Sequence, residues 1–406
     1  MESDAGLEQS NTFNESRMSH KAGGEFFEAK KDWSHRKDLV LKQYLVPYLP
    51  KIATQQRPVL VIDGFAGPGR FGDGTAGSPV IICSAVQRVR QTVRSVNFFV
   101  WCVESSVELA DALDIELRPF SDFASLKRRR FQDLLPEITH AIISHNIFLY
   151  LDPFTVTGLS WNALDQLFSQ VDRTRSVEVL LNFNVFALAR AACIAVGKRF
   201  AIAADDSAML GESASTRAAI TEVLGGDWWI QPFVTSQTFS EACGHLVRGY
   251  SKMLRGRFAE VCLHEIKDQH DQAIPNYVLA FGSRHPDAFE LMNDAMAKSL
   301  KRQAAKEAPA QPMLIELRPE SLVPERQAIQ TIVREVLAGR ATRGETILRV
   351  MRHRFGVYTR PEIRGVIEEM LKIGTLGSES RNARINDDVL TVSYTHLRAH
   401  ETKANL

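Results

Sequence analysis

Residues Val59–Phe71 (VLVIDGFAGPGRF) bring together residue types that could do chemistry. A β-branched run ends in Asp63 and passes into Gly64-Phe65-Ala66-Gly67-Pro68-Gly69. Glycine has no Cβ, so backbone built from it can approach a ligand closely. A carboxylate at the strand end can accept hydrogen bonds from hydroxyl or ammonium groups. Glu104 follows a second apolar run, Asn97–Val103, and Asp152-Pro153-Phe154 follows a third, Ile147–Leu151. Asp133, in Phe131-Gln132-Asp133, ends a weaker turn. Carboxylates and a glycine loop at successive strand ends suit ligand binding along the carboxyl edge of a parallel sheet. Plainer alternatives stand beside this: a strand turn with no ligand, Glu104 as the cap of the next helix, and Asp133 as an exposed helix start.

Positioning these groups requires alternating strands and helices. Glu25–Leu49 places Phe27, Trp33, Leu39, Leu41, Tyr44 and Leu45 at helical spacing, with Pro47 and Pro50 expected to end the segment. Strands are expected at Val59–Ile62, Asn97–Val103, Ala124–Arg128, Ile147–Leu151 and Val177–Phe183, with helices at Ser78–Arg90 and from Ser106. Residues 187–254 read as a helical insertion. Glu260–Ile266 and Tyr277–Gly282 read as a closing antiparallel pair. Trp33, Lys30, His35 and Lys37 fall beside the site, where a surface-anchored helix is the simpler reading. Asn182, at the end of the fifth strand, faces the same edge or caps a turn.

The 406 residues suggest two domains. A hydrophobic share of 45% and a charged share of 24% are those of a globular protein with a full core. A net charge of +1 gives no global field for nucleic acid. The five cysteines are scattered and form no metal-ligand spacing, so free buried thiols and no metal are expected. No apolar leader or membrane-length run is seen, and a cytoplasmic protein is the expectation.

After a basic, proline-containing connector (298–323), residues 324–392 carry three helical patterns, Glu325–Leu337, Arg343–Arg354 and Arg360–Lys372. Two short strand-like runs follow, near Thr375–Leu376 and Val389–Val392. This reads as a winged helix-turn-helix. From Glu325 to Asp388 there are 12 Lys+Arg against 9 Asp+Glu, an excess too small to choose nucleic acid over protein contacts. Residues 1–24 read as a flexible tail. Residues 393–406 (SYTHLRAHETKANL) resemble a read-through tail found on unrelated translated sequences, so His396 and His400 are not taken as a metal pair.

Asp63-x-Phe65-Ala66-Gly67-x-Gly69 resembles the first motif of class I S-adenosylmethionine (AdoMet) methyltransferases and lacks the GxGxxG spacing of dinucleotide enzymes. The resemblance implies a doubly wound, seven-stranded methyltransferase-type (Rossmann-like) α/β sheet over about residues 25–297. With AdoMet over Gly64, Phe65, Ala66, Gly67 and Gly69, Glu104 would meet the ribose hydroxyls, Asp63 the methionine moiety and Asp133 the adenine amino group. Asp152-Pro153-Phe154 would hold the methyl acceptor. Amino-methyltransferases carry a second proline here and the aromatic one place later, so base N-methylation is suggested only in part. Cytosine C5 chemistry needs a Pro-Cys pair, and the chain has none.

The ordered segments EFFEAKKDWSHRKDLVLKQYL, VLVIDGFAGPGRFGDGTAGSP, IFLYLDPFTVTGLSW, VEVLLNFN and NYVLAFGSRHP resemble the three-Cys-motif partner (TcmP) family. That resemblance implies a methyltransferase-like domain and a separate partner protein that carries three clustered cysteines and is similar to radical-AdoMet enzymes. It supplies no substrate. A methylating enzyme and a non-catalytic scaffold or DNA-binding component of the same two-protein system both remain open.

Overall fold

All five residues of β1 (Val59–Asp63) are buried, and so are all residues of β4 (Asn146–Leu151) and β5 (Val177–Phe183). Strands covered on both faces are continuous apolar runs because helices pack on either side. The computed structural model describes residues 27–169, 176–200, 216–266, 274–275, 277–307, 323–337, 340–378 and 390–393. With β2 (Phe98–Val103), β3 (Ala124–Lys127), β6 (Glu260–Ile266) and β7 (Tyr277–Ser283), the strands form one sheet in the order β3-β2-β1-β4-β5-β7-β6. β7 alone runs antiparallel to its neighbours β5 and β6. This is the seven-stranded mixed sheet with a closing hairpin that the strand pattern predicts. Register aligns the strand ends: Asp63 lies opposite Tyr150 on one side and Cys102 on the other.

One sheet face, with Ile62, Leu149, Leu151 and Leu181, packs against Trp161, Leu164, Leu188 and Leu246. The other face is covered by helix α1 (Asp32–Ala53), whose Tyr44 ring lies 5.4 Å from Phe148. α1 starts later than the sequence suggests and runs through Pro47 and Pro50 instead of stopping there. Each proline removes one intrahelical hydrogen bond. The buried stripe of Leu41, Tyr44, Leu45, Tyr48, Leu49 and Ile52 keeps the helix docked past both.

Helices α2 (Ser78–Thr92) and α3 (Val107–Leu117) connect β1 to β2 and β2 to β3, and α4 (Leu135–Ser144) leads into β4. α5 (Trp161–Ser169) lies between β4 and β5. After β5 come α6 (Val185–Val196), α7 (Arg217–Val223), α8 (Ile230–Thr235) and α9 (Phe239–Arg255), in the region read as a helical insertion. The Asn184 side chain caps α6 by accepting the Ala187 N–H at 3.0 Å. All five cysteines are free; four are buried and Cys193 is half-buried.

The chain divides into two compact units between Pro286 and Asp287. Helix α10 (Pro286–Glu307) therefore goes with the second unit, where the sequence suggested a boundary near residue 297. Asn293 fastens it there: its amide donates to Tyr358 O at 2.8 Å and accepts the Gly356 N–H at 2.9 Å. α11 (Val323–Val336), α12 (Arg343–His353) and α13 (Arg360–Lys372) follow, with β8 (Arg340–Thr342), β9 (Leu376–Ser378) and β10 (Leu390–Ser393) in a three-stranded antiparallel sheet ordered β8-β10-β9. Capping boxes at Thr342/Glu345 and Thr359/Glu362 start α12 and α13. β8 is a strand that the sequence reading lacks. Residues 1–24, the 308–322 part of the connector and all of the suggested read-through tail except Ser393 lie outside the described residues.

Candidate functional site

The glycine loop is held to the strands on both sides of β1. Gly64 N–H donates to Tyr150 O and Ala66 N–H to Val103 O, each at 2.9 Å. A Cβ on Gly64 would lie 2.6 Å from Leu151 Cδ2 and 2.9 Å from Phe131 Cδ2, so any larger residue there would have to displace these buried side chains. Gly67 (φ +63°) and Gly69 (φ +86°) take left-handed conformations that L side chains rarely adopt. Their spacing turns the chain sharply above the sheet edge.

Glu104 stands where β2 ends. Its Oε2 accepts the Gly67 N–H at 3.0 Å and its Oε1 the Ser106 N–H at 2.7 Å. Ser106 in turn caps α3 with its hydroxyl. Glu104 thus braces both the loop and the next helix, and each oxygen keeps capacity for a further hydrogen bond.

Asp63 is completely buried. Its Oδ1 accepts the Phe65 N–H at 3.3 Å, while Oδ2 has no hydrogen-bond partner among the described residues. Burial pushes the carboxyl up to about 7, against the pull of the Ser78 hydroxyl and the Phe65 N–H; Asp152 and Asp38 raise it further.

Asp152, at the end of β4, is the centre of a polar cluster. Lys37 Nζ donates to its Oδ2 at 2.7 Å, and Asn182 Nδ2 donates to its Oδ1 at 2.7 Å. The Tyr150 hydroxyl lies 3.4 Å from Oδ2. Lys37, Asn182 and Tyr150 are all buried. A second buried ammonium, Lys30, pairs with Asp38 and donates to Ala76 O at 2.5 Å. Burial raises the Asp38 carboxyl to about 6, with Lys30 and Lys37 opposing.

The segment before α1 crosses the loop. Phe27 O accepts the Gly72 N–H at 2.7 Å, and Lys30 N–H donates to Asp73 Oδ2 at 3.2 Å. The Phe27 ring meets the Phe154 ring edge-on at 5.2 Å and lies 3.0 Å from where a Gly67 Cβ would stand. Loop, N-terminal segment and Asp152-Pro153-Phe154 therefore meet at one place. Beside Pro153 a mainly apolar cleft is lined by Leu159, Leu181, Phe183, Leu188 and Tyr250.

Asp133 stands apart from this cluster. It lies in a short 3-10 turn (Phe131–Leu134), exposed, with one ion pair, to Arg130 at 3.9 Å. Its neighbours turn inward: the Phe131 ring lies 5.9 Å from that of Phe65, and Gln132 Nε2 donates to Gly158 O at 2.7 Å. The sequence reading missed Asp38 and Tyr150 and took Lys30 and Lys37 for surface cations. One signal was present. Lys37 falls on the stripe of Val40, Leu41, Tyr44 and Tyr48, where a lysine is buried and needs a partner.

The residues fit an adenosine ligand with an amino-acid end. The loop offers close backbone, Glu104 has spare acceptor capacity, and Asp63 holds a buried unpartnered oxygen. Phe27 must shift or share the space above Gly67 for such a ligand to sit against the loop.

No family model and no curated protein matches the chain. Among solved structures it is similar to an O-methyltransferase from Bacillus cereus in complex with SAH, at 12% identity over 70% of this chain and 92% of that one, with a TM-score of 0.30. A methyltransferase from Geobacter sulfurreducens shares 13% identity over 49% of this chain and 82% of that one, with a TM-score of 0.23. The bifunctional kinase-methyltransferase WbdD shares 14% identity over 63% of this chain, with a TM-score of 0.32, and the match spans only 40% of that protein's length. Superpositions this loose carry no argument about activity; the α/β assignment rests on the sheet and its strand order.

Proposed function

We propose that the first unit binds AdoMet over the glycine loop and transfers its methyl group to an acceptor held at Asp152-Pro153-Phe154. The observation that carries this reading is the gathering of Asp63, Glu104 and Asp152 at one strand edge around a left-handed glycine turn. The cofactor supplies a methyl group on a sulfonium centre, which needs alignment and little acid–base help. Asp152 accepts an N–H or O–H of the acceptor, orients its lone pair and offers a place for the departing proton. Phe154 and Phe27 keep water from the line of transfer.

The motif order favours the TcmP family within this reading, with a three-cysteine, radical-AdoMet-like protein as partner. The second unit then serves as a winged helix for contacts. Its arginines favour a protein surface over nucleic acid, because Arg343 and Arg364 pair with Glu368, Arg360 with Glu290, and Arg326 with Glu369. The second reading is a non-catalytic scaffold, favoured by the Phe27 ring against Gly67 and the Lys37 ammonium on Asp152.

Incubation with methyl-tritiated AdoMet and the protein and nucleic-acid fractions of a cell extract separates the two readings. Label transfer by wild type, lost in Asp152→Ala with AdoMet affinity kept within about threefold, is the expected result. Equal transfer by the variant overturns the role of Asp152. AdoMet binding without transfer to either fraction, partner present or absent, favours the scaffold.

A further inference from the structure

The two buried ammonium groups under the N-terminal segment are unequal. Lys30 is committed to Asp38 and the Ala76 carbonyl. Among the described residues Lys37 makes one hydrogen bond, to Asp152 Oδ2 at 2.7 Å, and its Nζ lies 5.0 Å from the centre of the Tyr277 ring. An ammonium has three N–H donors, so two of those on Lys37 have no acceptor among the described residues. Such a group, 4% exposed, has exchanged its water for one carboxylate oxygen and one ring face, fewer partners than its three donors can use. Asp63 offers the complementary group: its buried Oδ2 has no hydrogen-bond partner of good geometry among the described residues, while the Ser78 hydroxyl and the Phe65 N–H act on the same carboxyl. Both belong to the face of the sheet covered by α1. Asp63 lies opposite Tyr150 in the β-ladder, and the Tyr150 hydroxyl lies 3.4 Å from the carboxylate that Lys37 holds.

An ammonium with spare donors and a carboxyl with a spare oxygen on the same sheet face suit a ligand that carries both charges. A phosphate or a sugar would serve one and strand the other. An α-amino-acid group, carboxylate and ammonium on one carbon, serves both.

We propose that Lys37 is the residue that binds the carboxylate of the ligand's amino-acid end, and that this binding draws its ammonium away from Asp152. The inference rests on the AdoMet reading and deepens it. It makes α1 part of the cofactor site. In the free protein Lys37 sits on Oδ2 and Asn182 on Oδ1, so an acceptor N–H reaching Oδ2 shares that oxygen with an ammonium. Once the ligand's carboxylate takes Lys37, Oδ2 is released with its geometry still held by Asn182. Lys37 is a binding and positioning residue and takes no part in bond making.

Equilibrium titration of the full chain with three adenosine thioethers tests this. S-adenosylhomocysteine carries the whole amino-acid end, its decarboxylated analogue only the ammonium, and 5′-methylthioadenosine neither. Wild type should prefer S-adenosylhomocysteine to the decarboxylated analogue by about tenfold or more, as expected for a charge-assisted hydrogen bond. Lys37→Met should remove that preference and leave methylthioadenosine affinity within about threefold. Lys37→Arg, which keeps the charge, should retain most of it. The proposal is overturned if Lys37→Met weakens all three ligands equally, which marks a structural role, or leaves the preference intact. No binding of any of the three to wild type would overturn the AdoMet reading itself, an outcome distinct from both.

Discussion

Glu104 holds Gly67: its Oε2 accepts the Gly67 N–H at 3.0 Å and ties the end of β2 to the crest of the glycine loop. The same carboxylate starts α3 through the Ser106 N–H. The side chain read as a ribose ligand is therefore also a brace for the backbone on which the ligand would rest.

Glu104→Ala should lower AdoMet affinity by more than Glu104→Gln. Alanine removes both the acceptor for Gly67 and any contact to hydroxyls, whereas glutamine keeps one acceptor oxygen. A loss of about tenfold or more is expected for alanine, measured by equilibrium binding. Equal affinities in wild type and Glu104→Ala would remove Glu104 from the site.

Asp63 links binding to pH. Its carboxyl is raised to about 7 in the free protein, so it is increasingly protonated below that value. A ligand ammonium needs the ionised form. Affinity should fall as pH drops below about 7, by at most about tenfold per unit. Asp63→Asn should bind more weakly and show a flat profile. A wild-type profile flat between about pH 5 and 7 would contradict an ammonium contact.

Glu178 marks a cost inside the core. It is buried in β5, accepts the Tyr44 hydroxyl, and burial raises it from 4.5 to about 8. The folded state keeps the proton that the unfolded chain releases above pH 4.5. Stability is fully present below that pH and is lost as pH rises towards 8, with a slope of at most about 1.4 kcal/mol per unit. Asp38 and Asp63, raised to about 6 and about 7, act in the same direction. Glu178→Gln keeps an acceptor for Tyr44 and should shrink the loss between pH 5 and 8 in denaturant melts. An unchanged pH dependence would place the ionised form in the native core.

The second unit should show no steep salt dependence in nucleic-acid binding, because Arg326, Arg343, Arg360 and Arg364 are already paired with glutamates. Full-length protein titrated with duplex DNA at rising salt checks this. A slope corresponding to several released counterions would restore the nucleic-acid reading.

The glycine loop was legible in the sequence because glycine and β-branched residues have few other reasons to stand in that order. The strands followed from the alternation of apolar runs and the closing hairpin from its two runs, while their order across the sheet is set by long-range pairing that alternation does not show. Lys37 and Asp38 were harder. Charges at the start of a helix ordinarily face water, and only their phase relative to Tyr44 and Tyr48 shows otherwise. α1 continues through Pro47 and Pro50 because tertiary burial outweighs the local penalty. β8 has only three residues, too few for alternation to show. Asp133, read either as an adenine contact or as an exposed helix start, lies exposed in a short turn, and among the described residues its carboxylate pairs with Arg130.

Calorimetric titration of AdoMet into the full chain and into Gly67→Arg tests the central claim most directly. Arginine at φ +63° is strained and would drive its side chain into the Phe27 ring and the space above the loop. Saturable binding to wild type and none to Gly67→Arg, with both proteins folded, is the predicted result. Equal binding by the two would place the ligand elsewhere. No binding by either, with the three-cysteine partner present as well as absent, would contradict the cofactor site.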